Sequence, residues 1–206
     1  MTRFAFALTV LAVAALTPAI TWAHAHGEDF LIGVNAPTNQ LEVEYDPDLY
    51  PLALPRSEHL LLVGWALDDP GLIGLDGPDP DDPDFVPVDA AADIGFELLA
   101  VSGTAFKVWN PLGPGETGFQ ILAGQTYNFP GLGDFHEHVW WHIDTTDPHY
   151  DPTVTAWDVT FRFVDLRTGA AHLASDPVTV TFAPEPSAAL LLAAGVLAVA
   201  RRRQSV

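Results

Sequence analysis

Residues 135–144 read FHEHVWWHID, and they place three imidazoles, His136, His138 and His142, within seven positions beside Trp140 and Trp141. On a β-strand the side-chain period is two, so His136, His138, Trp140 and His142 share one face and Trp141 takes the other. Imidazoles at i and i+2 are neighbours on that face, and neutral imidazole is the commonest side-chain ligand of protein-bound metals. A tetrahedral zinc centre needs four ligands, so other donors must join the strand. The sequence offers His24 or His26, His149, Asp144 and Asp147 for that role. The competing expectation is structural: exposed polar histidines on an edge strand, with the two tryptophans as core and edge aromatics. His59 and His172 stand alone in their segments and are read as ordinary surface or core histidines.

Catalytic patterns are excluded one by one. A His-Glu-x-x-His zinc protease would need histidine at 140, where the chain has Trp140. His138 and His142 have helical i, i+4 spacing, but no glutamate lies between them, and Val139, Trp140, Trp141 and Ile143 favour a strand. There is no Gly-x-Ser-x-Gly elbow and no glycine-rich phosphate loop followed by lysine. Paired carboxylates carry no information in a chain with 27 acidic residues. The expectation is a binding module rather than an enzyme. Methionine occurs once, at the start, and cysteine not at all, which argues against a Cu(I) site built from soft ligands. Zn2+ is the favoured ion, with Cu2+ and Ca2+ as alternatives.

The elements that must carry these residues read as strands. Short alternating runs at 29–35, 40–46, 93–103, 105–110, 117–124, 136–143, 155–166 and 176–182 are separated by Gly, Pro, Asn and Asp, and a more continuous apolar run spans 58–67. The pattern predicts an all-β fold, a single immunoglobulin-like antiparallel β-sandwich. Residues 66–87 are dense in proline and aspartate and are expected to form a long solvated acidic loop, with weak Ca2+ binding as a lesser alternative.

Both ends read as targeting segments. Arg3 and the apolar run 4–16 form a secretory leader, with cleavage expected after Ala23 or after Ala25. Cleavage after Ala23 leaves His24-Ala25-His26, whose amine and third-position imidazole suit square-planar Cu2+. Cleavage after Ala25 makes His26 the first residue. That start resembles copper monooxygenases that cut polysaccharides, and the resemblance ends there. At the other end, Pro184, Glu185 and Pro186 precede thirteen apolar residues (188–200) and the cluster Arg201, Arg202, Arg203. Thirteen residues are short for a bilayer span of about 20. The three parts, in this order, resemble the PEP-CTERM sorting tail of bacterial exported proteins. The resemblance implies a membrane sorting enzyme as partner and transient membrane contact through the tail.

The expected organisation is therefore a signal peptide (1–25), a β-sandwich domain (26–183) and a sorting segment (184–206), with the sandwich flanked by an N-terminal signal helix and a C-terminal apolar helix. The leader implies the secretion translocon as a further partner. The two end segments hold four of the 8 basic residues and one of the 27 acidic ones, which leaves 4 against 26 and a net charge of about −22 on the domain. Such a surface repels nucleic acid and anionic membranes and attracts cations.

Within the domain, His136, His138 and Trp141 form a His-x-His-x-x-Trp motif, and the closing strand reads SDPVTVTF (175–182). Together they resemble a bacterial surface-anchored domain family whose members end in a choice of anchors. The resemblance covers most of 26–182 and implies a cell-surface protein that accompanies metal-cation uptake. It departs after Trp141, where a longer loop containing His149 replaces a short Pro-Gly turn. An adhesive role without metal, in contact with extracellular polysaccharide, is the alternative from a different class.

Overall fold

The computed structural model describes residues 29–115, 117–129 and 135–186. The leader, His24, His26 and the tail from residue 187, including Arg201, Arg202 and Arg203, lie outside the described residues. The fold is all-β. Fourteen strands are described: β1 (Phe30–Asn35), β2 (Gln40–Glu44), β3 (Leu52–Leu54), β4 (Gly64–Leu67), β5 (Leu72–Gly74), β6 (Phe85–Val86), β7 (Ile94–Val101), β8 (Phe106–Trp109), β9 (Gln120–Ile121), β10 (Gln125–Asn128), β11 (His136–Glu137), β12 (Trp140–Asp144), β13 (Trp157–Asp165) and β14 (Val178–Pro184). Among the described residues no helix is long and apolar enough to cross a membrane.

The strands form three sheets. The first runs β11-β5-β1-β2, with β6 also paired to β1; the second runs β10-β7-β13-β14-β3; the third runs β4-β12-β8-β9. Alternation builds them. In β13, Trp157, Val159, Phe161 and Phe163 are buried while the residues between them are partly or fully exposed. The inner faces meet in one aromatic core, where area removed from water is the main driving force. Phe30 of the first sheet meets Phe161 of the second at 5.1 Å between ring centroids, and Trp141 of the third stacks on Phe182 of the second at 4.9 Å. The arrangement is sandwich-like.

Three sequence expectations need correction. The sheets are mixed rather than purely antiparallel, because β1 pairs with β5 and β14 with β3 in parallel. Of the run 58–67 only β4 is a strand; residues 59–63 turn outward with Leu60 91% exposed, and Leu62 alone is fully buried. Residues 66–87 are not all loop: β5 lies inside the first sheet, between β11 and β1. Leu72, Ile73 and Gly74 carry no proline, so every backbone N–H there is available to the ladder.

The stretch 136–143 also departs from a single strand. It breaks after Glu137. β11 pairs with β5 in the first sheet, whereas β12 pairs with β4 and β8 in the third. The chain changes sheets at His138 and the fully buried Val139. The shared face expected for His136, His138 and His142 therefore does not form.

Candidate metal centre

His136 and His138 come together with two aspartates that lie far away in sequence. The Nε2 atoms of the two histidines are 2.8 Å apart, and Asp29 Oδ2 lies 3.8 Å from His136 Nε2. Asp29 immediately precedes β1 and its side chain is 4% exposed. The other ring nitrogen of His138 faces the loop that enters β5: Nδ1 is 2.8 Å from the Asp68 carbonyl and 3.1 Å from Asp69 Oδ1. A carbonyl oxygen only accepts, so Nδ1 carries a proton, and in the neutral ring Nε2 keeps its lone pair. An imidazole whose Nδ1–H is held by a carbonyl and a carboxylate presents Nε2 as the donor atom, the usual form of a histidine ligand, and here Nε2 faces His136 Nε2 at 2.8 Å.

Residues 68–71 grip the centre one after another. Asp68 and Asp69 hold His138, the Pro70 carbonyl accepts from Trp141 Nε1 at 3.1 Å, and the Gly71 N–H donates to Asp29 Oδ1 at 2.5 Å. Gly71 is required by close approach. A Cβ there would stand 2.8 Å from His138 Cε1 and 3.0 Å from Asp29 Oδ1. Trp141 thus belongs to the core and, through its indole N–H, to the support of the site.

Two subsets of donors suit different ions. Asp29, Asp69 and His138 bring one donor each to within 4.8 Å of one another, an oxygen-rich set. The nitrogen-rich alternative, His136 with His138 and Asp29, rests on two pairwise contacts, His136 Nε2 to His138 Nε2 at 2.8 Å and to Asp29 Oδ2 at 3.8 Å. Tetrahedral ligands about 2.0–2.1 Å from zinc stand about 3.3 Å apart, so an ion would require the His136–His138 contact to open and the His136–Asp29 contact to close. The proton on His138 Nδ1 favours the second set, because the Asp69 side of that ring has no lone pair to offer. Glu137, between the two histidines in sequence, has its carboxyl pKa raised by burial, with His138 and His136 acting against the shift.

The structure places the remaining sequence candidates elsewhere. His142 lies in the third sheet, 1% exposed, with Trp109 Nε1 donating to Nδ1 at 3.4 Å and Nε2 facing the Val63 carbonyl at 3.3 Å. Both ring nitrogens are engaged, so it is not brought to the pair. Asp144, at the far end of β12, and Asp147 beyond it both bind Lys107, at 2.5 and 3.4 Å. Burial alone would raise the Asp144 pKa, but hydrogen bonds from Lys107 and Thr146 outweigh it and hold the carboxyl below its ordinary value. His149 is exposed on the following turn, its backbone N–H donating to Asp147 Oδ1. His26 lies outside the described residues. Pro184 ends β14, and the Glu185 N–H donates to the Leu54 carbonyl at 2.8 Å, so the Pro-Glu-Pro triplet starts at the sheet margin before Pro186.

Burial pushes the His142 pKa down, against the partly offsetting contact with Val63. The folded state therefore prefers the neutral ring, and the unfolded chain takes up the proton first as pH falls. Stability is full above the unfolded value of about 6.5 and is lost as pH drops below it. We expect the urea midpoint to fall between about pH 7.5 and pH 5, and His142→Gln to flatten that dependence. An equal slope in the variant would show that another group controls it.

Sequence reasoning missed Asp29, Asp69 and the Asp68 carbonyl. Asp29 sat at the edge of a predicted strand, and Asp68 and Asp69 were absorbed into an acidic loop. Their one legible signal was an Asp-Asp-Pro-Gly turn directly before an apolar triplet. No family model matches the chain, and no curated protein or solved structure matches it significantly. The two family resemblances rest on their motif residues alone.

Proposed function

We propose that the chain is an exported, surface-sorted, non-catalytic protein of immunoglobulin-like sandwich type. It binds one divalent cation, zinc in preference to Cu2+ or Ca2+, through His136, His138 and Asp29. Asp69 orients His138 without touching the ion. The carrying observation is the pairing of the two Nε2 atoms at 2.8 Å while Nδ1 of His138 is committed to Asp68 and Asp69. Two imidazoles and a carboxylate match the ligand preference of zinc, whereas Ca2+ takes six to eight oxygens. The strongly acidic domain concentrates cations around it.

The resemblances in the leader, the sorting tail and the His-x-His-x-x-Trp motif support a role at the cell surface. There the protein would present or buffer metal for an uptake system, after handling by the translocon and a sorting enzyme. Calorimetric titration with Zn2+ tests the binding. We expect one equivalent on the wild type, and an affinity reduced by two orders of magnitude or more in both His136→Ala and His138→Ala. Equal binding by wild type and both variants would sink the proposal and favour the adhesive, metal-independent role.

A further inference from the structure

We propose that the outer edge of β2 is a docking slot for an extended, basic segment of another polypeptide, bound by strand addition. The slot is independent of the metal centre, because β11 and β2 are opposite edges of the first sheet. Backbone bonds in an antiparallel pair alternate, so every second residue directs its groups away from the partner strand. The Leu41 N–H donates to the Leu173 carbonyl at 2.9 Å, outside the pairing with β1, and this sets the phase: Leu41 and Val43 both direct their backbone groups off the sheet. Among the described residues, the Leu41 carbonyl and the N–H and carbonyl of Val43 have no hydrogen-bond partner. The chain itself begins an addition at this edge and abandons it. Leu173 bridges Gln40 in parallel and donates to the Asn39 carbonyl at 3.0 Å, but by Ser175 the segment has joined β13, with the Ser175 N–H on the Phe163 carbonyl at 3.0 Å. The edge accepts a strand at one end and lies open beyond it.

Two observations define the occupant. A row of unpaired N–H and C=O groups at strand spacing is matched by another extended backbone. Grooves on either side leave room for its side chains: one of about 400 Å3 between β2 and residues 176–179, and one of about 350 Å3 between β2 and Asp82 and Phe85, with Glu42, Val43 and Tyr45 lining both. Side chains of an added strand alternate between faces, so each groove receives every second residue. The charge of the grooves has one sign. Glu42, Glu44, Asp82 and Asp176 line them, and among the described residues no lysine or arginine does. Burial, then the neighbouring Asp79 together with Asp82 and Asp81, holds the Glu44 carboxyl above its ordinary value, so an added cation relieves this crowding. A second copy of the chain would set like charges against these carboxylates, whereas lysine or arginine at alternate positions pairs with them across the strands.

The test titrates the intact protein, by fluorescence anisotropy, with a labelled peptide of about seven residues that alternates lysine and valine. We expect saturable binding and slower hydrogen exchange at the Val43 amide. N-methylation of the peptide's backbone amides leaves its charge unchanged and should weaken binding at least about 10-fold, because several bonds to β2 are lost. Glu42→Lys combined with Glu44→Lys should transfer the preference to a peptide that alternates glutamate and valine. Equal binding of the N-methylated peptide would show attraction by charge alone and overturn the slot. Absence of binding, or binding with unchanged exchange at Val43, would overturn it too. A dimer of the chain that protects the Val43 amide without peptide would overturn the choice of partner.

Discussion

Trp141→Ala is expected to lower the unfolding free energy by about 3–5 kcal/mol, the usual range for removing a large buried aromatic. Trp141 is 0% exposed. Its ring stacks on Phe182 at 4.9 Å and meets Phe161 and Phe96 at 6.1 and 6.2 Å. Truncation leaves a cavity where the second and third sheets meet, and close-packed cores collapse into such cavities only in part. It also strips the Pro70 carbonyl of its donor. The loop 68–71 then loses its fixed point, so zinc affinity should fall with stability. Trp141→Phe reduces the packing loss: it keeps a ring for stacking, removes the N–H at a cost of about 1–3 kcal/mol for a buried acceptor left unpaired, and leaves a smaller cavity than alanine does. Urea unfolding followed by circular dichroism measures both variants. A loss below 1 kcal/mol for Trp141→Ala would contradict the packing described.

The second large effect is stabilisation by the ion. A ligand that binds only the folded state adds RT ln(1 + [L]/Kd), about 2.7 kcal/mol at a free concentration 100 times Kd. The proposed ligands come from the residue before β1, from β11 and from the residue that follows it, with the loop before β5 bracing His138. All these parts belong to, or adjoin, the first sheet, so binding would tie the edge strand β11 to the chain entry at Asp29. We expect zinc to raise the unfolding midpoint, a chelator to reverse the rise, and His138→Ala to show neither response. A midpoint indifferent to zinc and chelator in the wild type would favour a purely structural role for the histidines.

The strand alternation of β7, β13 and β14 was legible because each buries one face and leaves the other partly exposed, so the period of two survives in the sequence. The stretch HEHVWWHI, with histidines at i and i+2 and strand-favouring apolar residues, reads as one strand, yet that reading misled. The chain crosses from one sheet to another at His138, and nothing local marks a crossing that is decided by which distant strands accept β11 and β12. Val139 and Trp141 were readable as apolar positions; that they follow a change of sheet was not. β5 was hidden for a similar reason, since its three residues gain their order from a parallel pairing with β1 some forty residues upstream. The aspartates of the centre were invisible because carboxylates are abundant throughout this chain. Only the fold distinguishes Asp29, buried and hydrogen-bonded to Gly71, from the many that face water.

The position of the ion is the most direct test of the account. Anomalous scattering at the zinc edge from crystals of the loaded protein would locate it. The account predicts one strong peak about 2.0–2.2 Å from His136 Nε2, His138 Nε2 and an Asp29 oxygen, with Asp69 held on the far side of the His138 ring. A peak among the Asp29 and Asp69 oxygens with His136 turned away, or no peak at the two histidines, would contradict it.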